Sequence, residues 1–319
     1  MTFRLFQIVS LVSLLSTMMA SGLALAQGQV RIVVSVDWEG RELQSRNLQA
    51  MQKFRKDYPE IPLQHFLNAA YYTKPGAVPS QITQTVRSVL RPGDEEGLHV
   101  HAWRSLVRAS GVAFRTGPSF VEGEVDLRTC TVDCGHDVAL TAYTQTELQK
   151  VLRYSVSTLQ KQGFARATSF RAGGWQANSK VLRALAAEGF RVDSSATYAE
   201  YLFESWGDAN LYSFVGKLWP QSQPTSQPYR INLGSGLNIV ELPNNGCLAD
   251  YMDAEAISTA FIRNVELLKQ QPDRDVYLSI GFHQETAATY LPNLRGGIDQ
   301  IIAYAKANNI QYTFEIPNF

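Results

Sequence analysis

The stretch VRIVVSVDWEGRELQSRNLQAMQKFRKDY, residues Val30–Tyr58, decides the fold class of the chain. Its first eight residues form a β-branched, apolar run that is typical of a buried strand, and the second half has the apolar periodicity of a helix. The same alternation of strand and helix continues to the C-terminus without a break in composition. It predicts βαβ units, a parallel sheet and one α/β domain, a distorted (β/α) barrel of about seven to eight strands.

The remaining elements follow this alternation along the chain. The further strand candidates are IPLQHFLNAAYY, GLHVHAW, ATSFRA, FRVDSS, NIVELP, DVYLSIGF and IQYTFEI. The helix candidates are SQITQTVRSVL, TQTELQKVLRYSVSTLQKQG, NSKVLRALAAEG, DAEAISTAFIRNVELLKQ and GGIDQIIAYAKANN, and Asn178 and Gly189 supply a start and a stop signal. Two irregular insertions, Ser110 to Tyr143 and Glu200 to Leu237, are expected to be loops of the same domain.

The N-terminus has the pattern of a secretory signal peptide. Arg4 precedes the apolar run LFQIVSLVSLLSTMMASGLALA, which closes on Ala24-Leu25-Ala26 before the polar Gln27. Residues 1–26 are therefore predicted to be a signal peptide, and 27–319 the barrel domain of an exported protein, periplasmic or secreted. The alternative is an uncleaved anchor, since the run is about as long as a membrane span requires. No cysteine follows the run, which argues against a lipid anchor.

Charge and cysteine content narrow the function classes. Lys+Arg and Asp+Glu both number 29, so the sequence gives no electrostatic reason to expect a nucleic-acid partner. Cys130 and Cys134 lie close together in RTCTVDCGHD, where an exported protein would form a local disulfide. A zinc site that includes His136 is the alternative. Cys247 is expected to be buried and unpaired.

Polar residues interrupt the apolar strands at their carboxyl ends, where the reactive groups of parallel α/β proteins gather. His99 and His101 lie two residues apart, so both would project from one face of their strand, and the same holds for Asp37 and Glu39. A single acidic residue in such a place is most often a helix cap. Further strands end at Arg171, Asp193, His283 and Glu285, whereas His65 and His136 are expected to be structural.

The order VDWEG, EEGLHVHAW, SFRAGGW, VDSSA, LSIGFH resembles the five-motif series of the polysaccharide deacetylase family, the NodB homology domain. The resemblance spans about Val30 to Phe319. It implies a distorted βα barrel in which one carboxylate and two histidines hold a divalent metal, usually zinc. It also implies hydrolytic removal of N- or O-acetyl groups from sugars.

The resemblance assigns roles to individual residues of this chain. Asp37 corresponds to the catalytic base, and Arg171 corresponds to the arginine that orients this base. Asp193 corresponds to a supporting aspartate, and His283 corresponds to the general acid. Two motifs differ from the usual pattern. Trp38 separates Asp37 from Glu39, where the family has adjacent aspartates. The histidines are spaced by two instead of four, as in a subset of the family, and Trp103 occupies the four-residue position.

The chemistry of zinc hydrolases leads to the same residues. A hydrolytic zinc has three protein ligands and a water whose pKa falls to about 7. His99, His101 and one carboxylate make such a set, and the other carboxylate could accept the proton of the attacking water. We favour Glu39 as the ligand and Asp37 as the base, with the reverse assignment open.

The expected partner is an acetylated glycan or a similar small substrate. Trp206, Tyr212, Trp219 and Tyr229 of the second insertion, with Trp103 and Trp175, could line a groove that stacks on sugar rings. Two other functions fit the sequence. One is a catalytically silent barrel that binds a glycan or a protein, and the other is a metal-free glycoside hydrolase, which would leave the histidine pair unexplained.

Overall fold

A computed structural model describes residues 28–121 and 123–319, so the signal-peptide prediction lies outside the described residues. Parallel strands alternate with helices along this part of the chain, as the sequence predicts. The strands are β1 Val30–Asp37, β2 Leu63–Leu67, β3 Glu95–Val100, β4 Ser169–Ala172, β5 Val192–Asp193, β6 Tyr229–Gly234, β7 Leu237–Glu241, β8 Val276–His283 and β9 Tyr312–Phe314.

The helices surround the sheet. They are α1 Ser45–Asp57, α2 Pro79–Arg87, α3 Arg104–Ala109, α4 Gln145–Lys161, α5 Ser179–Ala187, α6 Phe203–Trp206, α7 Asn210–Leu218, α8 Ala254–Gln270 and α9 Ala287–Asn308. The predicted cap of α5 is present, because the Asn178 side chain accepts hydrogen bonds from the backbone N–H groups of Lys180 and Val181. Within the described residues, no helix has the length and apolar character needed to cross a membrane.

The strands form one curled sheet in the order β6-β7-β5-β4-β3-β2-β1-β8, and β9 pairs with the first half of β1. All pairs are parallel except β6 with β7. The registers bring predicted site residues together, because Asp37 is the neighbour of His283 across β1 and β8, and His99 is the neighbour of Arg171 across β3 and β4.

A segment without regular strand structure, Asn244–Ala249, closes the space between β7 and β8. Its backbone N–H groups at Gly246 and Ala249 donate to the carbonyls of Ser279 and Gly281, over 2.9 and 2.8 Å. Leu248 also forms an isolated parallel bridge with Gly281. The sheet is therefore a distorted, nearly closed (β/α) barrel, and the predicted fold class is confirmed.

The second insertion differs from its prediction. It holds the helices α6 and α7 and the strand β6, which pairs with β7 as a hairpin, although the sequence predicted a loop. The residues of β6 are mostly exposed, so its sequence, YRINLG, lacks the apolar pattern of the buried strands. The predicted strand IPLQHFLNAAYY ends at Leu67, because the Asn68 side chain accepts from the Ala70 N–H at 2.9 Å and starts a short 3₁₀ turn.

Candidate metal centre

Glu39, His99 and His101 meet at the carboxyl ends of β1 and β3. Glu39 Oε1 lies 3.1 Å from His99 Nε2, and Glu39 Oε2 lies 2.7 Å from His101 Nε2. One potential ligand atom from each residue lies within 4.8 Å of the others. The two imidazoles share one face, as the spacing of two predicts, with ring centroids 4.9 Å apart. A spacing of this size suits three donors around one cation.

The second nitrogen of each imidazole faces a backbone carbonyl. His99 Nδ1 lies 2.9 Å from the Arg171 oxygen, and His101 Nδ1 contacts the His136 oxygen. Because a carbonyl only accepts, both Nδ1 atoms donate, and in the neutral rings the Nε2 lone pairs point toward Glu39. The buried His101 Nε2 has no hydrogen-bond partner, although Glu39 is so close. The two Nε2 atoms thus have the orientation that metal ligands need.

Neighbouring residues hold Glu39 and His101 in position. The Trp103 indole donates to the Glu39 carbonyl oxygen at 2.8 Å. Gly173, in the FRAGGW motif, packs directly against the His101 ring, and a Cβ at this position would lie 2.5 Å from ring atoms. Only a glycine leaves room for the ring here. Burial raises the pKa of Glu39, but when His101 and His283 are protonated their charges outweigh burial and hold this pKa well below its usual value.

Asp37 has a different partner from Glu39. The fully buried guanidinium of Arg171 donates from Nη1 to Asp37 Oδ1 and to Ser35 Oγ, at 2.8 Å each. Its Nε and Nη2 donate to the backbone oxygen and the hydroxyl of Ser194, again at 2.8 Å. The guanidinium is therefore fixed on both sides, and it holds the Asp37 carboxylate in one orientation at the wall of the cleft.

Asp193 lies behind this pair instead of in the cleft. It is fully buried and is the neighbour of Glu241 across β5 and β7. Ser195 Oγ donates to Asp193 Oδ1 at 2.7 Å, and the Ala196 N–H donates to Glu241 Oε1 at 2.8 Å. Burial raises the pKa of Asp193 to about 6, while burial and the Asp193 charge raise the pKa of Glu241 well above its usual value. Of these two neighbouring carboxyls, Glu241 therefore holds a proton more readily than a carboxyl in water does.

His283 faces the cluster of Glu39, His99 and His101 from β8. Its Nε2 lies 3.6 Å from Glu39 Oε1, and its Nδ1 lies 3.1 Å from Asp250 Oδ2. Burial lowers the pKa of His283, but the charges of Asp250 and Glu39 outweigh burial and raise it to about 10. Sequence reasoning missed Asp250, because this residue follows the irregular closing segment and no predicted strand ends there. It also missed Glu241, although this glutamate is the last residue of β7, as Asp37 and His283 are the last residues of β1 and β8.

Glu39, His99 and His101 form one side of a cleft with a volume of about 330 Å³. Trp175 and Trp206 line it, as predicted. Other predicted aromatics do not: Trp103 is buried between the His136 ring, 5.2 Å away, and the Lys74 ammonium, 3.5 Å from its centroid. Trp219 is buried too, and donates to the Trp175 carbonyl at 3.0 Å. Tyr212 and Tyr229 also lie outside the lining. Three further aromatic residues line the cleft and were missed by sequence reasoning: Phe120, Tyr251 and Tyr290.

The sequence predicts structural roles for the cysteines and the remaining histidines. Cys130 and Cys134 form a disulfide, so the zinc alternative for these two residues is wrong, and Cys247 is buried as expected. His65 is fully buried and accepts a hydrogen bond from the Trp38 indole at 3.1 Å. His136 differs from its prediction, because it lines the cleft in addition to orienting His101.

Comparison with known proteins gives structural matches only. No protein-family model matches the chain, and no curated protein matches it. A probable polysaccharide deacetylase from Pseudomonas aeruginosa PAO1 aligns over 89% of this chain and 87% of its own, with a TM-score of 0.50 and 13% identity. The Puue allantoinase aligns over 90% of this chain and 87% of its own, with a TM-score of 0.51 and 14% identity. The chain thus has the fold found in polysaccharide deacetylases, the fold that its five motifs imply.

Proposed function

We propose that this protein is an exported, metal-dependent hydrolase that removes N- or O-acetyl groups from a carbohydrate. The observation that carries the proposal is the arrangement around Glu39, His99 and His101. The Asp37–Arg171 pair lies at the same carboxyl-end rim of the barrel, and His283, backed by Asp250, faces Glu39 from β8. These are the three parts that a metal hydrolase needs: ligands, a base and an acid.

The residues fit a zinc ion. Two imidazole nitrogens and a carboxylate oxygen are ligands of catalytic zinc, and both imidazoles are oriented by carbonyls through their other nitrogen. The unpartnered His101 Nε2 is a buried polar atom that a cation would satisfy. When bound, the ion supplies a Lewis acid that acidifies water and polarises the acetyl carbonyl.

The chain's own residues move the protons. Asp37, held by Arg171, accepts a proton from the water that attacks the acetyl carbon. His283 donates its proton to the departing amine nitrogen or alkoxide oxygen, so that the products are acetate and the freed sugar group. Asp250 contacts Nδ1 of His283 and thereby directs Nε2 toward the cleft. This assignment makes Glu39 the ligand and Asp37 the base.

Two features support the proposed export. The N-terminal pattern of residues 1–26 is that of a signal peptide, and the disulfide between Cys130 and Cys134 is a bond that persists in oxidising compartments.

The test combines metal analysis with acetate release from a panel of N- and O-acetylated saccharides. His283→Ala should keep its zinc and lose turnover by about 100- to 10,000-fold, the value of a positioned proton transfer. His99→Ala should lose the zinc and the activity together, and excess zinc should partly restore it. The exposed Arg153→Ala is the control. A wild-type protein that holds zinc and releases no acetate from any saccharide would contradict the proposal and favour a binding protein.

A further inference from the structure

Both insertions contribute walls to the cleft, and the two walls touch. Phe120 and Val121 come from the first insertion, and Trp206 and Leu211 from the second. At the start of α7 the Asn210 side chain donates to the Ser119 carbonyl at 3.1 Å, and its backbone N–H donates to the Val121 carbonyl at 3.3 Å. Residues of both insertions therefore form one wall of the cleft, joined through Asn210.

The part of the first insertion that forms this wall packs against the rest of the domain. Phe120 is 6% exposed, and its ring centroid lies 6.1 Å from that of His101. Its N–H donates to the Asp137 carbonyl at 2.9 Å, while the Ser119 hydroxyl donates to the Asp137 carboxylate at 2.6 Å. A Cβ on Gly174 would lie 3.0 Å from the Phe120 ring, so the ring packs on the backbone of the FRAGGW motif. These contacts make the wall part of the packed structure.

The cleft opens to solvent where its lining is polar. Arg41 and Ser205 are the exposed residues of the lining, and Arg41 lies 3.7 Å from the Glu285 carboxylate. The volume of about 330 Å³ is at the lower end of the range for small-molecule sites. A polysaccharide that is modified in its interior must enter and leave past the reacting residue, which requires a groove open at both ends.

We infer that the cleft receives the end of an acetylated saccharide, a terminal sugar ring or a short oligosaccharide, and that the contact of Asn210 with Ser119 and Val121 excludes interior residues of a polymer. The inference rests on the proposed function and specifies its substrate. The terminal ring lies against Phe120 and Trp206, and the rest of the saccharide leaves past Arg41.

The first test maps acetate release along a chain. The zinc-loaded wild type is given the hexamer of N-acetylglucosamine and O-acetylated xylo-oligosaccharides, and mass spectrometry locates the freed positions. Terminal acetyl groups should be removed at least about tenfold faster than interior ones. Equal rates at terminal and interior positions would overturn the inference and leave the proposed function intact. Release from no probe by the zinc-loaded protein would overturn the proposed function, and the inference with it.

Two variants address the wall directly. Asn210→Ala removes the side-chain bond to Ser119, and the double variant Asn210→Ala/Phe120→Ala also removes the ring from the wall. Both should raise the ratio of interior to terminal release relative to wild type, more strongly in the double variant. Asn238→Ala, an exposed asparagine on β7, is the matched control and should leave the ratio unchanged. An unchanged ratio in folded wall variants would contradict the inference.

A binding measurement tests the inference without turnover. Trp206 lines the cleft, so its fluorescence should report binding of N-acetylglucosamine oligomers, with Trp206→Phe identifying the signal. Affinity should level off after the first few rings, because further rings lie outside the cleft. Affinity that keeps rising with each ring up to the hexamer would show a groove that runs through, and would overturn the inference.

Discussion

Arg171 is the residue on which most of the buried polar contacts of the site depend. It joins Asp37 on β1 to Ser194 after β5, and its carbonyl orients His99 on β3. The sequence predicts that Arg171 lies at the end of its strand and, through the family resemblance, that it orients Asp37. It does not predict the contacts to Ser35 and Ser194, because serines carry no periodic signal.

Replacing Arg171 by Met should destabilise the protein by about 3–5 kcal/mol, because the change leaves the carboxylate of Asp37 buried without its partner. Asp37→Asn in the same chain removes that charge and should restore part of the lost stability. Urea unfolding measures both values. Arg153→Met, at a surface pair with Glu188, is the control and should cost less than about 1 kcal/mol. A cost for Arg171→Met no larger than that of the control would contradict this account.

The buried Asp193–Glu241 pair makes stability depend on pH. Because the pKa of Glu241 is raised well above 4.5 on folding, the folded chain keeps a proton that the unfolded chain releases. Stability from this group therefore falls as pH rises above its unfolded pKa. Glu241→Gln retains a donor toward Asp193 and cannot titrate. As the pH rises from roughly 5 to 7.5, the free energy of unfolding of this variant should therefore increase relative to that of wild type by about 1 kcal/mol or more.

The measurement is urea unfolding of both chains, freed of metal, over this pH range. Glu266→Gln, an exposed carboxyl on α8, is the control and should show no such trend. Parallel stability curves for Glu241→Gln and wild type would mean that the pair does not share a proton.

At the scale of elements, Asn244–Ala249 takes the place of a strand. The Asn245 side chain donates to the carbonyls of Ser226 and Tyr277 at 2.9 Å and accepts from the Ser279 N–H at 2.8 Å. It thus pairs backbone groups of β8 that a strand would otherwise pair. The sequence NNGCLA gives no strand signal, so this closure could not be predicted, whereas the buried strand β1 and the capped helix α5 could.

Asn245→Ala should lower the free energy of unfolding by about 1–3 kcal/mol, because it leaves the buried Ser279 N–H of β8 without its acceptor. Urea unfolding measures the change. Asn238→Ala at the exposed position on β7 should stay within about 0.5 kcal/mol of wild type. If the two variants were equally stable, the side chain of Asn245 would not be holding the barrel closed.

At the scale of the whole molecule, parallel topology explains why so much of the site is visible in the sequence. Strands that run the same way end at one rim, so Asp37, Glu39, His99, Arg171 and His283 meet although long segments separate them. What the sequence lacks is the contact between irregular segments. The wall at Asn210 and Val121, and the approach of Asp250 to His283, depend on loop paths that no periodicity encodes.

The loop closed by the disulfide between Cys130 and Cys134 contacts the candidate metal centre. The Cys134 carbonyl accepts from the Arg104 N–H at 2.8 Å, at the start of the helix that follows His101. Two residues after Cys134, the His136 carbonyl accepts from His101. Oxidation of the cysteines therefore restrains the segment that orients one ligand. A chain whose cysteines are reduced lacks this restraint, and we expect it to retain the proposed zinc poorly.

A reductant should accordingly speed the loss of zinc from the wild type to a chelator by about 10-fold, within the range typical of groups that orient ligands. The double variant Cys130→Ser/Cys134→Ser should lose zinc at the faster rate with or without reductant. If the wild type released zinc equally fast in both conditions, the loop would not restrain the ligand. Otherwise oxidation of Cys130 and Cys134 comes before firm binding of the cation, and if the protein is exported as proposed, the metal site would form only in an oxidising compartment.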